Sequence, residues 1–320
     1  MVTVIIVAGV VVVGTGLLVL LERALAARAA RSPAPISDEE RQVPREPMGP
    51  ATPETLVYLF AHQFVRPMPS ARAVRQRSRC IAPLTSEEVD PQDAAEKILF
   101  VALSELYVAG CVDFEVRESD PTLMPPFPHK SWTLFGRKLG EFPRTPLCDK
   151  LAAAFLSHAT RARKPQDNDP AIPLMDLIEN TVAGIRTEMS FWKRAGVYGD
   201  IRAFIEAHLV ERGYMLAPAK ETWLDTFRYK PAEANRPVIG SAQPAADELQ
   251  ERLREFRDAH GSRSEEGDEE EPFAIPDVNP AVAEGETDAE QLPLCDCLRA
   301  AISEALTVIR QQEPSEQVGI

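Results

Sequence analysis

Asp90-Pro-Gln-Asp-Ala-Ala-Glu-Lys-Ile-Leu-Phe-Val-Ala-Leu-Ser-Glu-Leu-Tyr-Val-Ala-Gly-Cys-Val-Asp-Phe-Glu-Val-Arg117 changes its hydrophobic period once, at Gly110. Aspartate followed by proline supplies an N-cap and the residue best suited to a first helical turn. Ala95, Ile98, Leu99, Ala102, Leu103 and Leu106 then fall at i, i+3, i+4, i+7, i+8 and i+11, which predicts a helix with one apolar stripe. Gly110 stands where a left-handed C-terminal cap is expected. Beyond it Val112, Phe114 and Val116 alternate with Asp113, Glu115 and Arg117, the pattern of a strand with one wet face.

The same order returns about a hundred residues later. Asp200 is read as the cap of a helix carrying Ile201, Phe204, Ile205 and Leu209, ended by Gly213 before Tyr214-Met215-Leu216. Between the two units, Thr145-Pro146 opens a helix with Leu147, Leu151, Ala154 and Phe155 inward. Leu174, Leu177, Ile178, Ile185, Met189 and Trp192 mark another. Upstream, Thr52-Pro53 starts a helix with Leu56, Val57, Leu59, Phe60 and Phe64 apolar. Downstream, Trp223-Leu224-Asp225-Thr226-Phe227 after a polar turn is consistent with a hairpin. Leu249, Leu253 and Phe256 mark a short charged helix, and Leu294, Leu298, Ile302, Ala305 and Ile309 a final amphipathic one. The prolines gathered in Ser32 to Pro53, Pro121 to Pro146 and Pro231 to Pro280 read as spacers.

Residues 2 to 21, VTVIIVAGVVVVGTGLLVLL, contain no charge. A helix of that length spans roughly 30 Å, the hydrocarbon thickness of a bilayer. No basic residue precedes the run, so it reads as an uncleaved anchor. The competing reading is a signal peptide cleaved near Ala24-Leu25-Ala26. Arg23, Arg28 and Arg31 follow it, which places the N-terminus outside and the body in the cytoplasm, at the inner membrane. The expected fold class is mainly α with small β-hairpins, one N-terminal transmembrane helix followed by a helical globular domain. The expected organisation is an anchor at 1–21, a Pro/Arg-rich juxtamembrane linker at 22–51, the helical globular domain with its hairpin at 52–260, a disordered acidic linker at 261–291 and the amphipathic helix at 292–312.

The net charge of −14 is unevenly spread. Ser262 to Gln291 holds eleven acids and the single base Arg263, a composition that cannot offset its ordering entropy. Arg66, Arg72, Arg75, Arg77 and Arg79 form the opposite bias, either a solvated loop or a contact for anionic lipid. Five scattered cysteines make no disulfide scaffold and fit a reducing compartment.

No catalytic, cofactor-binding or metal-ligating set is recognised. The five histidines have neither HxxxH nor HExxH spacing, and Cys295-Asp296-Cys297 lacks a second cysteine pair. The glycines at 9 to 16 lack the Lys-Ser/Thr ending of a phosphate loop, and no GxSxG occurs.

Leu103-Ser-Glu-Leu-Tyr-Val-Ala-Gly-Cys-Val-Asp-Phe-Glu115, Pro146-Leu-Cys-Asp-Lys-Leu-Ala-Ala-Ala-Phe155, and Leu209-Val-Glu-Arg-Gly213 followed by the Trp223 to Tyr229 hairpin occur in an order that resembles the Golgi phosphoprotein family of membrane-surface adaptors, over about residues 53 to 258. The resemblance implies a helical adaptor domain, a phosphoinositide headgroup pocket and a hairpin that enters the bilayer. The pocket's tryptophan position falls near Asp90 and its arginine positions near Leu99, Gly199 and Arg202, so only Arg202 matches and phosphoinositide recognition is not expected. Trp223, Leu224, Phe227, Arg228 and Tyr229 keep the composition of an interfacial anchor, although Trp223 and Phe227 could equally pack on the body's own core.

The expected function is a non-enzymatic single-pass membrane protein whose cytoplasmic domain is an adaptor or scaffold. Arg202 and those five hairpin residues are its lipid contacts, anionic lipid and the membrane are its partners, and the terminal helix either folds back on the body or binds a protein partner. The alternative is a winged-helix-like nucleic-acid-binding module, disfavoured because Asp200, Glu206 and Glu211 make the helix before Gly213 a poor groove reader.

Overall fold

Proline in the first turn opens five of the nine described helices, because its missing N–H costs nothing there and its φ is already helical. The computed structural model describes residues 47–68, 79–119, 131–161, 171–189, 195–217, 232–261 and 293–313. These belong to one compact unit.

The elements run α1 (Pro53–Leu59), α2 (Ala61–Phe64), β1 (Cys80–Ile81), β2 (Glu88–Val89), α3 (Pro91–Val108), β3 (Val112–Ser119), β4 (Ser131–Lys138), α4 (Pro146–Arg161), β5 (Ile172–Pro173) and α5 (Leu174–Glu188). They continue with α6 (Gly196–Glu211), β6 (Met215–Leu216), β7 (Glu233–Ala234), α7 (Arg236–Gly240), α8 (Gln243–His260) and α9 (Leu294–Gln312).

The quoted stretch folds as its pattern predicts. Asp90 accepts from the Gln92 N–H at 2.9 Å and caps α3. Gly110 takes φ +66°. Its N–H reaches the Tyr107 carbonyl at 2.9 Å, and that of Cys111 reaches Leu106 at 2.9 Å, closing a Schellman motif that turns the chain into β3. Gly213, with φ +84°, closes α6 in the same way through Tyr214 N–H to Leu209.

β3 and β4 pair antiparallel from Val112↔Lys138 to Ser119↔Ser131, and β5 adds to the far edge of β4. The inner face of this sheet carries Val112 and Leu134 into the core. Its outer face carries Glu115, Arg117, Phe135 and Arg137, with the Arg117 guanidinium over the Phe135 ring at 4.6 Å.

α3 is the centre of the molecule, packed by α1, α6, α8 and α9, while α4 and α5 pair beside it. Leu99, Leu103 and Leu106 on α3 and Leu298, Ile302 and Leu306 on α9 are almost completely buried. Each such side chain contributes about 1.5–3 kcal/mol of burial. Besides its apolar stripe, α9 is held by the Ser303 hydroxyl donating to Glu96 Oε1 at 2.8 Å, by Arg310 over the Tyr198 ring, and by an ion pair between Arg186 and Glu313.

Several expectations need correction. Among the described residues no helix is long and apolar enough to cross a membrane. The described architecture is a mainly helical domain with small sheets, and the transmembrane helix expected ahead of it is not found among these residues. The long helices are amphipathic and interrupt every apolar run with charge, as α3 does with Asp93, Glu96, Lys97 and Glu105. The stretch 2–21 lies outside the described residues, as does the acidic linker.

Asp200 does not cap α6. That helix begins four residues earlier at Gly196, and Asp200 is buried inside its first turns, accepting from Arg186 Nε at 2.8 Å and from the Ala195 N–H at 2.9 Å. Part of the Pro121 to Pro146 spacer is strand β4, and part of Pro231 to Pro280 is α7 and the eighteen-residue α8. Trp192 falls outside the described residues, and α5 ends at Glu188.

Candidate binding cleft

Two short ladders frame a concavity among the described residues. In the first, Cys80 pairs with Val89 and Ile81 with Glu88. The loop between them is tied by Ala82 N–H to Glu87 and Ser86 N–H to Ala82, and Ser86 sits at φ +64°, the one described non-glycine residue in the left-handed region. In the second ladder Met215 pairs with Ala234 and Leu216 with Glu233. Buried Asn235 locks it to the end of α6, its backbone N–H reaching Tyr214 O at 3.1 Å and its side chain Gly213 O at 3.0 Å. Between the ladders opens a cleft of about 290 Å³, walled by Ile81, Ala82, Pro83, Met215, Ala232 and Ala234. Glu233 and Arg236 stand on its lining as the charged groups, and Tyr58 forms part of its floor.

The polar groups beneath the floor face inward. The Tyr58 hydroxyl donates to Glu206 Oε1, and Arg202 Nε lies 3.7 Å from the same oxygen. Cys80 lies beside this group, and burial pushes its thiol up to about 12 against the pull of Arg202. A thiol held so far above neutrality is a poor nucleophile.

A second buried network runs along α3. Asp93 accepts from the Arg66 backbone N–H at 2.7 Å, and the Arg66 guanidinium lies 3.6 Å away. Burial raises Asp93, and the Lys97 ammonium opposes that shift. Lys97 itself is lowered to about 8, again by burial. Glu96, raised by burial, accepts from Gln92 at 2.9 Å and from Ser303 at 2.8 Å. The gap among Glu96, Lys97, Phe100, Arg299 and Ile302 is about 10 Å³, the room of at most a single water.

The sequence-predicted site is dispersed by the fold. Arg202, expected at a lipid surface, is 5% exposed and engaged with Glu206, because the face of α6 that carries it packs inward. Asp90, Leu99 and Gly199, the other positions aligned to a headgroup pocket, are interior as well. Trp223, Leu224, Phe227, Arg228 and Tyr229 lie outside the described residues. The chain leaves the second ladder at Ala217 and returns at Ala232. The cleft itself had no sequence signal, since small alanines and a two-residue strand mark nothing by period.

Cys295 and Cys297 both sit on α9, where a two-residue step turns about 200° around the helix and sends them to different sides. Among the described residues no group of three or more His, Cys, Asp or Glu could hold a metal ion.

Fold and cleft together define a class no finer than a mainly helical domain with an apolar-walled cleft set over a buried ionic floor. Comparison with family models, with curated proteins and with solved structures returns no match. The resemblance to membrane-surface adaptors is therefore carried by the quoted residues alone.

Proposed function

We propose that this chain is a non-catalytic binding domain, an adaptor or scaffold, that makes peripheral contact with anionic lipid. The observation that carries the reading is the composition of the cleft. Its walls are apolar, its charges stand at the lining rather than in a converging acid–base pair, and the hydrogen-bonding groups of Tyr58, Arg202 and Glu206 are consumed below the floor. Such a surface binds, and it offers no activated nucleophile. A tethered winged-helix module draws less support. The helix before Gly213 buries Ile201, Arg202, Phe204, Ile205 and Glu206, leaving little of it to enter a groove.

The test has two arms. Vesicles of phosphatidylglycerol with phosphatidylcholine should bind the full chain more tightly than phosphatidylcholine alone, with the excess lost in high salt. Purification from native membranes in mild detergent should return a partner at near-stoichiometric yield. Absence of both the lipid preference and a stoichiometric partner overturns the proposal.

A further inference from the structure

The three-stranded sheet has the order β3, β4, β5, so among the described residues β3 pairs on one side only. The Cys111 carbonyl, just before β3, accepts from the Leu139 and Gly140 N–H groups at 2.8 and 3.1 Å, which sets the phase of the ladder. Odd-numbered residues of β3 therefore turn their N–H and C=O toward β4, while Val112, Phe114, Val116 and Glu118 turn theirs to the outer edge. Sheet edges in soluble proteins are ordinarily blunted by short length, lysine, proline or a bulge. β3 runs for eight residues, Val-Asp-Phe-Glu-Val-Arg-Glu-Ser, in unbroken register with β4, and has none of these devices. It is also held firmly from behind: Val112 is buried, and the Phe114 ring stacks on Tyr107 at 6.0 Å, which meets Phe256 of α8 edge-on.

We infer that the outer edge of β3 pairs antiparallel with β3 of a second copy of this chain, about a two-fold axis at Val116. Charge selects both the occupant and the register. An axis at Phe114 sets Asp113 against Glu115 of the second copy, and axes at Glu115 or Arg117 set each of those against itself. The axis at Val116 instead sets Glu115 against Arg117 of the second copy, and Arg117 against its Glu115. Both pairs stand on the wet outer face, at non-hydrogen-bonded positions where cross-strand side chains are closest. Within one copy Arg117 already lies 2.8 Å from Glu115, and Arg137 lies 3.9 Å from the same carboxylate, so the pairing joins two such clusters into one ring of alternating charge. Val116 then faces Val116 of the second copy and Phe114 faces its Glu118, and each pair exchanges both of its outward backbone hydrogen bonds.

The inference is independent of the lipid-contact reading. Sedimentation of the full chain in mild detergent, from about 1 to about 200 µM, should show a monomer–dimer equilibrium, weak because a strand-edge interface is small. Hydrogen exchange read by mass spectrometry should slow across residues 112–119 as the concentration rises. Glu115→Arg and Arg117→Glu should each weaken self-association roughly tenfold, since each sets two like-charged pairs across the axis. An equimolar mixture of those two variants restores opposite charges at both pairs and should associate about as tightly as the native chain. Val116→Pro removes an outward N–H without touching the β4 ladder, so it should abolish the dimer while far-UV circular dichroism stays native. A chain that stays monomeric throughout, self-association indifferent to the charge variants, or a mixture no tighter than either variant alone overturns the inference. Protection of residues 112–119 that appears only with a different co-purifying protein gives the edge to that partner and overturns the second copy.

Discussion

Single residues in this chain pay very different costs for their positions. Gly110 has open space around its Cβ position, so only its φ of +66° resists a side chain. Gly110→Ala should therefore lower stability by about 1 kcal/mol, read as a shift in denaturant midpoint with unchanged slope. Lys97 is held down to about 8 by burial, with Asp93 pulling it up and Arg299, then Arg66, pushing it lower. The unfolded chain thus binds the extra proton between about pH 8 and the ordinary 10.5, and the folded state gains as pH rises through that window. Lys97→Met removes the dependence, so the stability of the native protein relative to Lys97→Met should climb between those values, by at most about 3 kcal/mol. A difference that stays flat on urea titration would refute it. Thiol reactivity follows from the same physics. Burial raises Cys80 and Cys148 to about 12 and Cys297 to about 11, while Cys111 is half-exposed with its Sγ 3.1 Å from the Glu141 carbonyl. Iodoacetamide at neutral pH should modify Cys111 first, and Cys111→Ser should remove the fast phase seen by mass spectrometry.

At the scale of elements, α9 is the decisive piece, since its stripe completes the core between α3, α5 and α6. Ile302→Ala empties a fully buried position and should cost 2–5 kcal/mol, whereas Ser303→Ala removes one hydrogen bond to Glu96 and should cost roughly 1 kcal/mol. Equilibrium unfolding separates the two, and equal losses would mean that α9 is not held mainly by its stripe. The stripe of α9 and the switch of period at Gly110 were legible because each rests on side-chain spacing that a single helix or strand imposes. What escaped was set by partners distant in sequence. β4 hides its alternation because its inward position 136 is glycine, where a Cβ would meet the rings of Phe114 and Phe155 at 3.4 Å. Asp200 looked like a cap because the residue that claims it, Arg186, is on another helix. Arg202 looked exposed although its ion-pair partner Glu206 is one turn on in the same helix, because the residue that holds Glu206 in the interior, Tyr58, comes from distant α1. The cleft could not be read at all, since two ladders from opposite parts of the chain must meet before it exists.

For the molecule as a whole, the charge of −14 and the buried carboxylates along α3 act in the same direction. Like charge in excess opposes the compact state and is relieved by salt or by protonation. Asp93 and Glu96 are both raised from 3.8 and 4.5 by burial, so the folded chain keeps protons that the unfolded chain releases. Their contribution is complete below the ordinary carboxylate values and is lost as pH rises through the raised ones, which makes neutral pH the costly side. The usual acid-labile carboxylate, depressed by an ion pair, has the opposite sign. Thermal unfolding should therefore begin later just above the ordinary carboxylate values of 3.8 and 4.5 than at neutral pH, in low salt. Adding about 0.5 M salt should raise Tm at the higher pH more than at the lower, because screening replaces part of what protonation supplies. Glu96→Gln separates the two causes. It removes a buried charge while keeping an acceptor for Gln92 and Ser303, so it should flatten the pH dependence and leave most of the salt dependence in place. A Tm that falls steadily on acidification from neutrality, in the native chain and in Glu96→Gln alike, would show that depressed surface carboxylates outweigh both effects.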